Sequence, residues 1–175
     1  MGHQTSCIDS TSWGNSPAWI SLHPTTGASY FRLTGAVEKL TKVLVSESTT
    51  IQTKYKTLIC SILNDLVRGD LQSKMIFHRN QGSFYLLDFI SGAVDNRNQG
   101  YDFKRETSFL KSSMRLLVAV TASTRYIKTD ILAHKGLSTC YSVIQSSDGS
   151  DSLDIMGLYA IRNISDQGKR NICQC

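Results

Sequence analysis

The stretch LDIMGLYAIRNISDQGKRNI, residues 153–172, decides how the fold is interpreted. Apolar residues recur in its first half at the spacing that places them on one face of an α-helix, namely Leu153, Met156, Gly157, Ala160, Ile161 and Ile164. Residues 162–165 are then predicted to close the helix in a polar turn, and a second helix is predicted to begin at Lys169 and to carry Ile172. The stretch therefore predicts the end of one helical unit and the beginning of another.

The composition of the 175 residues suits one domain with a hydrophobic core of its own. The chain has only two prolines, which permits long helices. The net charge of +5 is modest, and it favours an acidic partner only weakly because a mildly basic surface often serves solubility alone. No apolar run approaches the roughly 18 residues of a membrane span, and no signal peptide is recognisable, so we predict a cytoplasmic protein.

Residues 1–29 differ from the rest of the chain and are predicted to form an irregular N-terminal arm. They are rich in Ser, Thr and Gly, and they contain Trp13 and Trp19. Two interpretations of these tryptophans remain open, because such side chains are too apolar for a purely solvated tail. They either pack on the first helix pair of the chain, or they anchor the arm in a partner protein.

Residues 30–175 are predicted to form a domain of amphipathic helices. A short helix carries Val37, Thr41 and Leu44, and residues 95–102 form the clearest internal loop after a helix over residues 83–94. One long helix is predicted to bury a face composed of Ile51, Tyr55, Leu58, Ile59, Ile62 and Leu66. Another has apolar residues on more than one side, which predicts a central position, and it contains Leu110, Met114, Leu116, Leu117, Val118 and Val120.

The order of these elements recurs three times: a glycine, a helix of about ten residues, a polar break, a longer helix, a turn and a short helix. The glycines are Gly35, Gly82 and Gly136, at intervals of 47 and 54 residues. A single amphipathic helix pair cannot bury its apolar face, so stacking of such units is the expected solution. An irregular helical bundle without true repeats is the alternative.

This pattern resembles the armadillo and HEAT family of helical repeats over residues 30–175. The resemblance implies an all-α, right-handed α-solenoid of about three repeats, whose long third helices line a face that binds extended peptides or helices. Family members that hold peptide backbones carry an asparagine late in successive third helices; here only Asn163 matches, with Ala119 and Asp65 at the corresponding positions. We therefore expect a scaffold with a partner of its own rather than import-type peptide binding.

Two further expectations follow from the resemblance. The tryptophan-bearing arm followed by helical repeats is similar to the arrangement in rotatin-like proteins, which implies a location at the centrosome or the cilium base. The last predicted helix, from Lys169, ends with the chain at Cys175. The repeat series thus resembles part of a longer solenoid that is truncated at its C-terminus.

A basic stripe supplies the candidate binding residues. Lys104, Lys111 and Arg115 are separated by seven and four residues and so share one helix face, with Arg105 beside them. Arg162 and Asn163 from the following unit extend this surface. One interpretation is a solvated helix face; the other is a docking stripe for an acidic segment of a partner protein, with salt-sensitive association.

The sequence predicts no enzyme. It contains no phosphate-binding glycine loop, no nucleophile elbow and no His pair with metal-ligand spacing, so we predict no cofactor, no metal and no small-molecule substrate. Cys60 and Cys140 fall on apolar helix faces and are predicted to be reduced core thiols. The competing hypothesis is an adaptor that binds membranes or nucleic acid. It would do so through acylation of Gly2, since Gly2 and Ser6 match the acylation pattern, or through the basic helix face.

Overall fold

The computed structural model describes residues 30–46, 53–98, 107–122, 125–147 and 151–166, and within these ranges it contains helices and no strand. The predicted all-α class is therefore confirmed. A helical turn at residues 30–33 is followed by α1 (Ala36–Val45), α2 (Thr53–Val67), α3 (Leu71–Arg79), α4 (Gly82–Asn98), α5 (Thr107–Thr121), α6 (Arg125–Ala133), α7 (Gly136–Ser146) and α8 (Asp151–Ser165). Across the described ranges, no helix combines the length and the apolar character needed to cross a bilayer.

The helices pack in two layers. In one layer α5 contacts both α2 and α8, and in the other α4 contacts both α1 and α7. The short helices α3 and α6 each contact helices of both layers. Fully buried side chains such as Leu63, Leu86, Leu117 and Ile164 form the core, whose burial drives the packing. The prediction that α5 is central is confirmed, because Met114, Leu116, Leu117 and Val120 are all buried.

Three turns in the chain have the same backbone geometry. Gly35, Gln81 and Lys135 have φ values of +71°, +66° and +60°, and each directly precedes a helix. The N–H group of each residue donates to the carbonyl oxygen three residues earlier, and its own carbonyl accepts from the residue four positions later. One such turn lies inside each of three units of the described chain, between a short first helix or helical turn and the helix that follows. We define these units as α1–α2 with the helical turn before them, α3–α5 and α6–α8.

The glycines of the predicted repeat do not all occupy the same position relative to the turn and the helix that follows it. Gly35 is itself the residue of positive φ, whereas Gly82 and Gly136 are the first residues of their helices. A Cβ atom at Gly82 would overlap the ring of Phe77, and one at Gly136 would lie 2.7 Å from the carbonyl oxygen of Ile131. Close approach of the preceding short helix therefore explains Gly82 and Gly136, and conformational freedom explains Gly35.

The long helices also end in the same way. The N–H groups of Arg68, Ala122 and Asp166, one residue beyond α2, α5 and α8, donate to the carbonyl oxygens of Asn64, Val118 and Arg162 at 3.0–3.1 Å. The three helices are also equal in length, at 15 residues each, so aligning them end to end makes Asp65 and Ala119 equivalent to Asn163. The predicted polar turn at residues 162–165 is wrong, because α8 continues through Ser165.

Two other sequence predictions need correction. The helix α4 runs to Asn98, so residues 95–98 are helical rather than part of a loop. The predicted buried face of α2 is wrong in part: Tyr55, Leu58 and Ile62 are exposed, whereas Leu66 is buried and Ile59 packs against the core. The other residues that the helix buries are Cys60, Leu63 and Val67, and Ile51 lies outside the described residues. Apolar residues lie on both sides of α2, and periodicity alone does not say which side a neighbour covers. The arm and the helix predicted from Lys169 lie outside the described residues.

The two cysteines in the described ranges are both buried and unpaired, as predicted. Burial raises the pKa of Cys60 to about 12, although Ser113 and Lys56 oppose the shift. Burial also raises the pKa of Cys140 to about 12. Both side chains are therefore thiols at neutral pH and behave as small apolar core residues.

A hydrogen-bonded carboxylate fixes the beginning of α3. Asp70 caps this helix by accepting from the backbone N–H of Ser73 at 3.1 Å and from its hydroxyl group. The Arg32 guanidinium donates to both oxygens of Asp70 at 2.7 and 2.9 Å. Burial raises the pKa of Asp70, but the bonds from Ser73 and Arg32 together outweigh burial, so the pKa is lowered overall.

We expect Asp70→Asn to make the protein less stable at neutral pH by about 1 kcal/mol, since Asn retains the cap but loses the ion pair. Because the pKa of Asp70 is lowered in the folded state, the charge stabilises the fold above the unfolded pKa of about 3.9. This contribution disappears as the pH falls through the folded pKa. Urea unfolding of both proteins should therefore show a difference at neutral pH that closes in acid.

The control for this experiment is Asp88→Asn, which removes an exposed carboxylate of α4. We expect its effect to stay within about 0.5 kcal/mol at either pH. A stability difference between Asp70→Asn and the wild type that is the same at neutral and acid pH would contradict the assignment.

Candidate partner-binding groove

A groove of about 570 Å³ lies where α2, α3, α5 and α8 meet. Two of its walls come from the end of α2 with the residues after it and from the second half of α5 with the residue that follows. The helices α3 and α8 contribute one residue each. These lining residues are Asn64, Arg68, Gly69, Lys74, Arg115, Val118, Ala119, Ala122 and Met156. The groove combines an apolar floor with polar side chains from three helices or their ends, as ligand sites commonly do.

The charges that line the groove have one sign. Arg68 and Arg115 are exposed, Lys74 is buried, and no lining residue is acidic. Asn64 adds an amide that can both donate and accept hydrogen bonds. A concave surface with charges of one sign focuses its potential on the space that it encloses. The groove therefore suits an anionic ligand with some apolar surface.

Lys74 joins α3 to the end of α5 at the groove. Its Nζ donates to the carbonyl oxygen of Ala122, 2.6 Å away at the C-terminal end of α5, where a positive charge is favoured by the helix dipole. Burial lowers the pKa of Lys74, and Asp70 opposes this effect while Lys128 adds to it. Lys128 occupies the matching position in the next unit, and its Nζ donates to Asp166 O at 3.0 Å, just beyond α8.

The structure separates the residues of the predicted basic stripe. Arg115 lines the groove, whereas Lys111 is half-buried one turn earlier on α5 and is not part of the lining. Arg162 is exposed on α8 outside the groove, and the Asn163 side-chain amide donates to Val118 O at 3.1 Å. Lys104, Arg105, Trp13 and Trp19 lie outside the described residues, so their predicted roles stay predictions.

Sequence reasoning missed two of the groove cations. Arg68 follows α2 directly, and no local pattern distinguishes it from other surface arginines. Lys74 and Lys128 are 54 residues apart, the same interval as Gly82 and Gly136. A search for recurring lysines at the interval of the repeat would have found this pair.

A second cleft, of about 400 Å³, lies between α4 and the end of α6. It is lined by Gln81, Phe84, Leu87, Asp88, Ala133, His134 and Lys135, so its charges are mixed. His134 bonds to a carbonyl at the end of its helix, with Nδ1 2.8 Å from Asp130 O. His78 instead contacts the Asp130 carboxylate through Nε2 at 2.8 Å and joins α3 to α6.

Within the described ranges, no group of three or more His, Cys, Asp or Glu residues is arranged to hold a metal ion. Neither the groove nor the second cleft brings together a nucleophile, a base and an orienting group. The groove therefore offers binding chemistry, supplied by cations and an apolar floor.

Comparisons with known proteins add information on the fold. No family model and no curated protein matches the chain. Among solved structures, an engineered protein crystallised by the Northeast Structural Genomics Consortium is similar, with a TM-score of 0.65 and 14% sequence identity. The match covers 83% of this chain and 51% of the engineered one, so this chain spans about half the length of that protein. A likeness at this level of identity concerns the fold alone.

Proposed function

We propose that this chain is a non-enzymatic, armadillo-like scaffold that binds an acidic segment of a partner protein in the groove between α2, α3, α5 and α8. In this proposal the three units form a right-handed α-solenoid, and the long helices line its binding face. The protein acts in the cytoplasm, with the centrosome or cilium base as the location implied by the rotatin-like arrangement. The single observation that carries the proposal is the cationic groove lined by Arg68, Lys74 and Arg115.

The recurrence of the backbone geometry supports the repeat interpretation. Three turns have matching hydrogen bonds, the three long helices have the same length of 15 residues, and α5 packs between α2 and α8 in the manner of stacked repeats. Stacked third helices in such proteins create a continuous surface, and extended peptides or helices use surfaces of this kind. The groove lies on this layer of long helices, since α2, α5 and α8 all contribute to it.

The chemistry of the groove supports an acidic ligand. Arg68 and Arg115 are exposed and can form two parallel hydrogen bonds with a carboxylate, which gives orientation as well as attraction. Val118, Ala119 and Met156 provide apolar contacts between these charges. We expect the apolar contacts to supply most of the affinity, while the arginines determine orientation and the rate of association.

The test measures binding of a fluorescent peptide that alternates Glu and Leu, by anisotropy at physiological salt. We expect Arg68→Glu plus Arg115→Glu to weaken binding at least about tenfold, because the groove then repels the carboxylates. The matched control is Lys39→Glu plus Arg79→Glu, which makes the same change in net charge at exposed positions outside the groove. The control should bind within about twofold of the wild type.

Equal loss of binding in the two double variants would show that net charge, rather than the groove, attracts the peptide, and would remove the proposal. If the wild-type protein does not bind the peptide but binds duplex DNA or anionic vesicles, the result would favour the adaptor hypothesis instead. Circular dichroism of both double variants verifies that the helices are intact, which we expect because all four substituted residues are exposed.

A further inference from the structure

The two outermost long helices each have an exposed face that is covered on the other long helices. Because α2, α5 and α8 are each 15 residues long, aligning them end to end allows this comparison position by position. We define the outer face of α2 as Tyr55, Leu58 and Ile62, and the outer face of α8 as Ile155, Leu158 and Arg162. Each face follows one side of its helix with the spacing i, i+3 and i+7.

The outer face of α2 lacks the cover that equivalent residues have. Tyr55, Leu58 and Ile62 are 56%, 56% and 39% exposed. The equivalent residues are Phe109, Ser112 and Leu116 on α5 and Leu153, Met156 and Ala160 on α8, and all are buried except the half-buried Met156. Because α1 packs on α2 as α4 packs on α5, the place left open beside α2 by the described residues is that of the long helix of a preceding unit.

The outer face of α8 shows the complementary difference. Ile155 and Leu158 are 50% and 58% exposed, and Arg162 is exposed as well. At the position of Leu158, Met114 of α5 and Cys60 of α2 are fully buried. The equivalents of Ile155 are Lys111 on α5 and Thr57 on α2, and the equivalents of Arg162 are Val118 and Asn64. All four are half-buried. The place left open beside α8 by the described residues is that of the long helix of a following unit.

The charges at the ends of the two faces are also complementary. Inside the chain, Asn163 of α8 donates to Val118 O of α5, so these two positions meet where one long helix packs on the next. Asp65 of α2 is the equivalent of Asn163, and Arg162 of α8 is the equivalent of Val118. If α2 packed on α8 with the same geometry, the Asp65 side chain would lie beside the backbone of Arg162, and the long side chain of Arg162 can reach the carboxylate from there. Both residues are exposed and carry opposite charges.

We propose that copies of this chain associate head to tail, with the outer face of α8 of one copy packed against the outer face of α2 of the next. The contact repeats the packing that joins α2 to α5 and α5 to α8 within the chain. Leu158 lies among Tyr55, Leu58 and Ile62 of the next copy, and Arg162 pairs with Asp65. Because two different faces meet, the contact does not close at a dimer, and assemblies lengthen with concentration.

The first test measures the molar mass of the full chain by light scattering over a range of concentrations. The mass should rise with concentration for the wild type. Leu158→Glu and Ile62→Glu each place a charge in the apolar contact, and each should weaken association at least about tenfold. Both positions are exposed in the isolated chain, so the fold and its helical content should be retained.

Mixing these two variants tests the polarity of the contact. Leu158→Glu retains an intact α2 face, and Ile62→Glu retains an intact α8 face. An equimolar mixture should therefore form one-to-one complexes and nothing larger. A symmetric contact of α8 with α8, or of α2 with α2, predicts a different result, since at least one variant alone would still dimerise.

The second test exchanges the two charges. Arg162→Asp and Asp65→Arg should each weaken association, because each places like charges together at the contact. The double variant should recover most of the wild-type association. Wild type that stays monomeric at every concentration, for example because residues 1–29 cover α2, would overturn the proposal. Failure of the mixture to form one-to-one complexes, or of the double variant to recover, would also overturn it.

Discussion

Replacing Phe77 with Ala should destabilise the protein by about 3–5 kcal/mol, the cost typical of removing a buried aromatic side chain. Phe77 is fully buried on α3, and its ring covers Gly82 at the beginning of α4. The substitution removes apolar contacts and leaves a cavity between the two helices. Thermal and urea unfolding, followed by circular dichroism, would measure the loss in free energy of unfolding.

The contact between Phe77 and Gly82 can be isolated by a double-mutant cycle. Gly82→Ala alone should destabilise the protein by about 1–3 kcal/mol, because its Cβ overlaps the Phe77 ring. In the Phe77→Ala background the ring is absent, and Gly82→Ala should cost less than about 0.5 kcal/mol. A coupling energy of at least about 1 kcal/mol is therefore expected. If the two changes in free energy of unfolding were strictly additive, the Phe77 ring would not be what prevents a larger residue at position 82.

Gly136→Ala should destabilise the protein by about 2 kcal/mol or more, and here truncation of the neighbouring side chain should rescue it only in part. The added Cβ would overlap Ile131 Cγ2 and lie 2.7 Å from the Ile131 carbonyl oxygen, and the backbone atom cannot move without disturbing α6. In the double variant with Ile131→Ala the side-chain clash is removed and the backbone clash stays, so we expect part of the cost of Gly136→Ala to persist. The measurement is the free energy of unfolding in urea for each variant.

Gly92→Ala is the matched control, because it makes the same chemical change inside α4. No atom beyond its own helix backbone and chain neighbours lies within 4 Å of a Cβ built at Gly92. Alanine has the higher helix propensity, so this variant should be more stable by about 0.5–1 kcal/mol. The two Gly→Ala changes are thus expected to have opposite signs, and equal effects would contradict the assigned close approach at Gly136.

The helices themselves were predictable because their signal is local. The spacing of Leu153, Gly157, Ala160 and Ile164 marks a helix face without reference to any neighbour, and this face is buried in the structure. The choice between two apolar sides of α2 was not predictable, since it depends on which helices pack on it. The end of α4 was misplaced for a related reason: residues 95–98 are polar, yet they continue the helix.

The groove was predicted only in part. The spacing of Lys111 and Arg115 indicated a basic helix, and Arg115 does line the groove. Arg68 and Lys74 come from other helices or their ends, and their approach to Arg115 follows from packing that no local pattern encodes. Lys74 is buried, and because buried lysines are rare, no sequence pattern marks a lysine of a short helix as such a residue.

The way in which the units connect has a mechanical consequence. The main helix contacts lie within one unit or between adjacent units, and no strand pairs occur in the described ranges. A stretching force on the two ends would therefore not load many parallel hydrogen bonds at once. It would detach helices one after another, at modest force, and the detached helices could dock again when tension falls. The chain should respond to load as an extensible spring rather than as a brittle link.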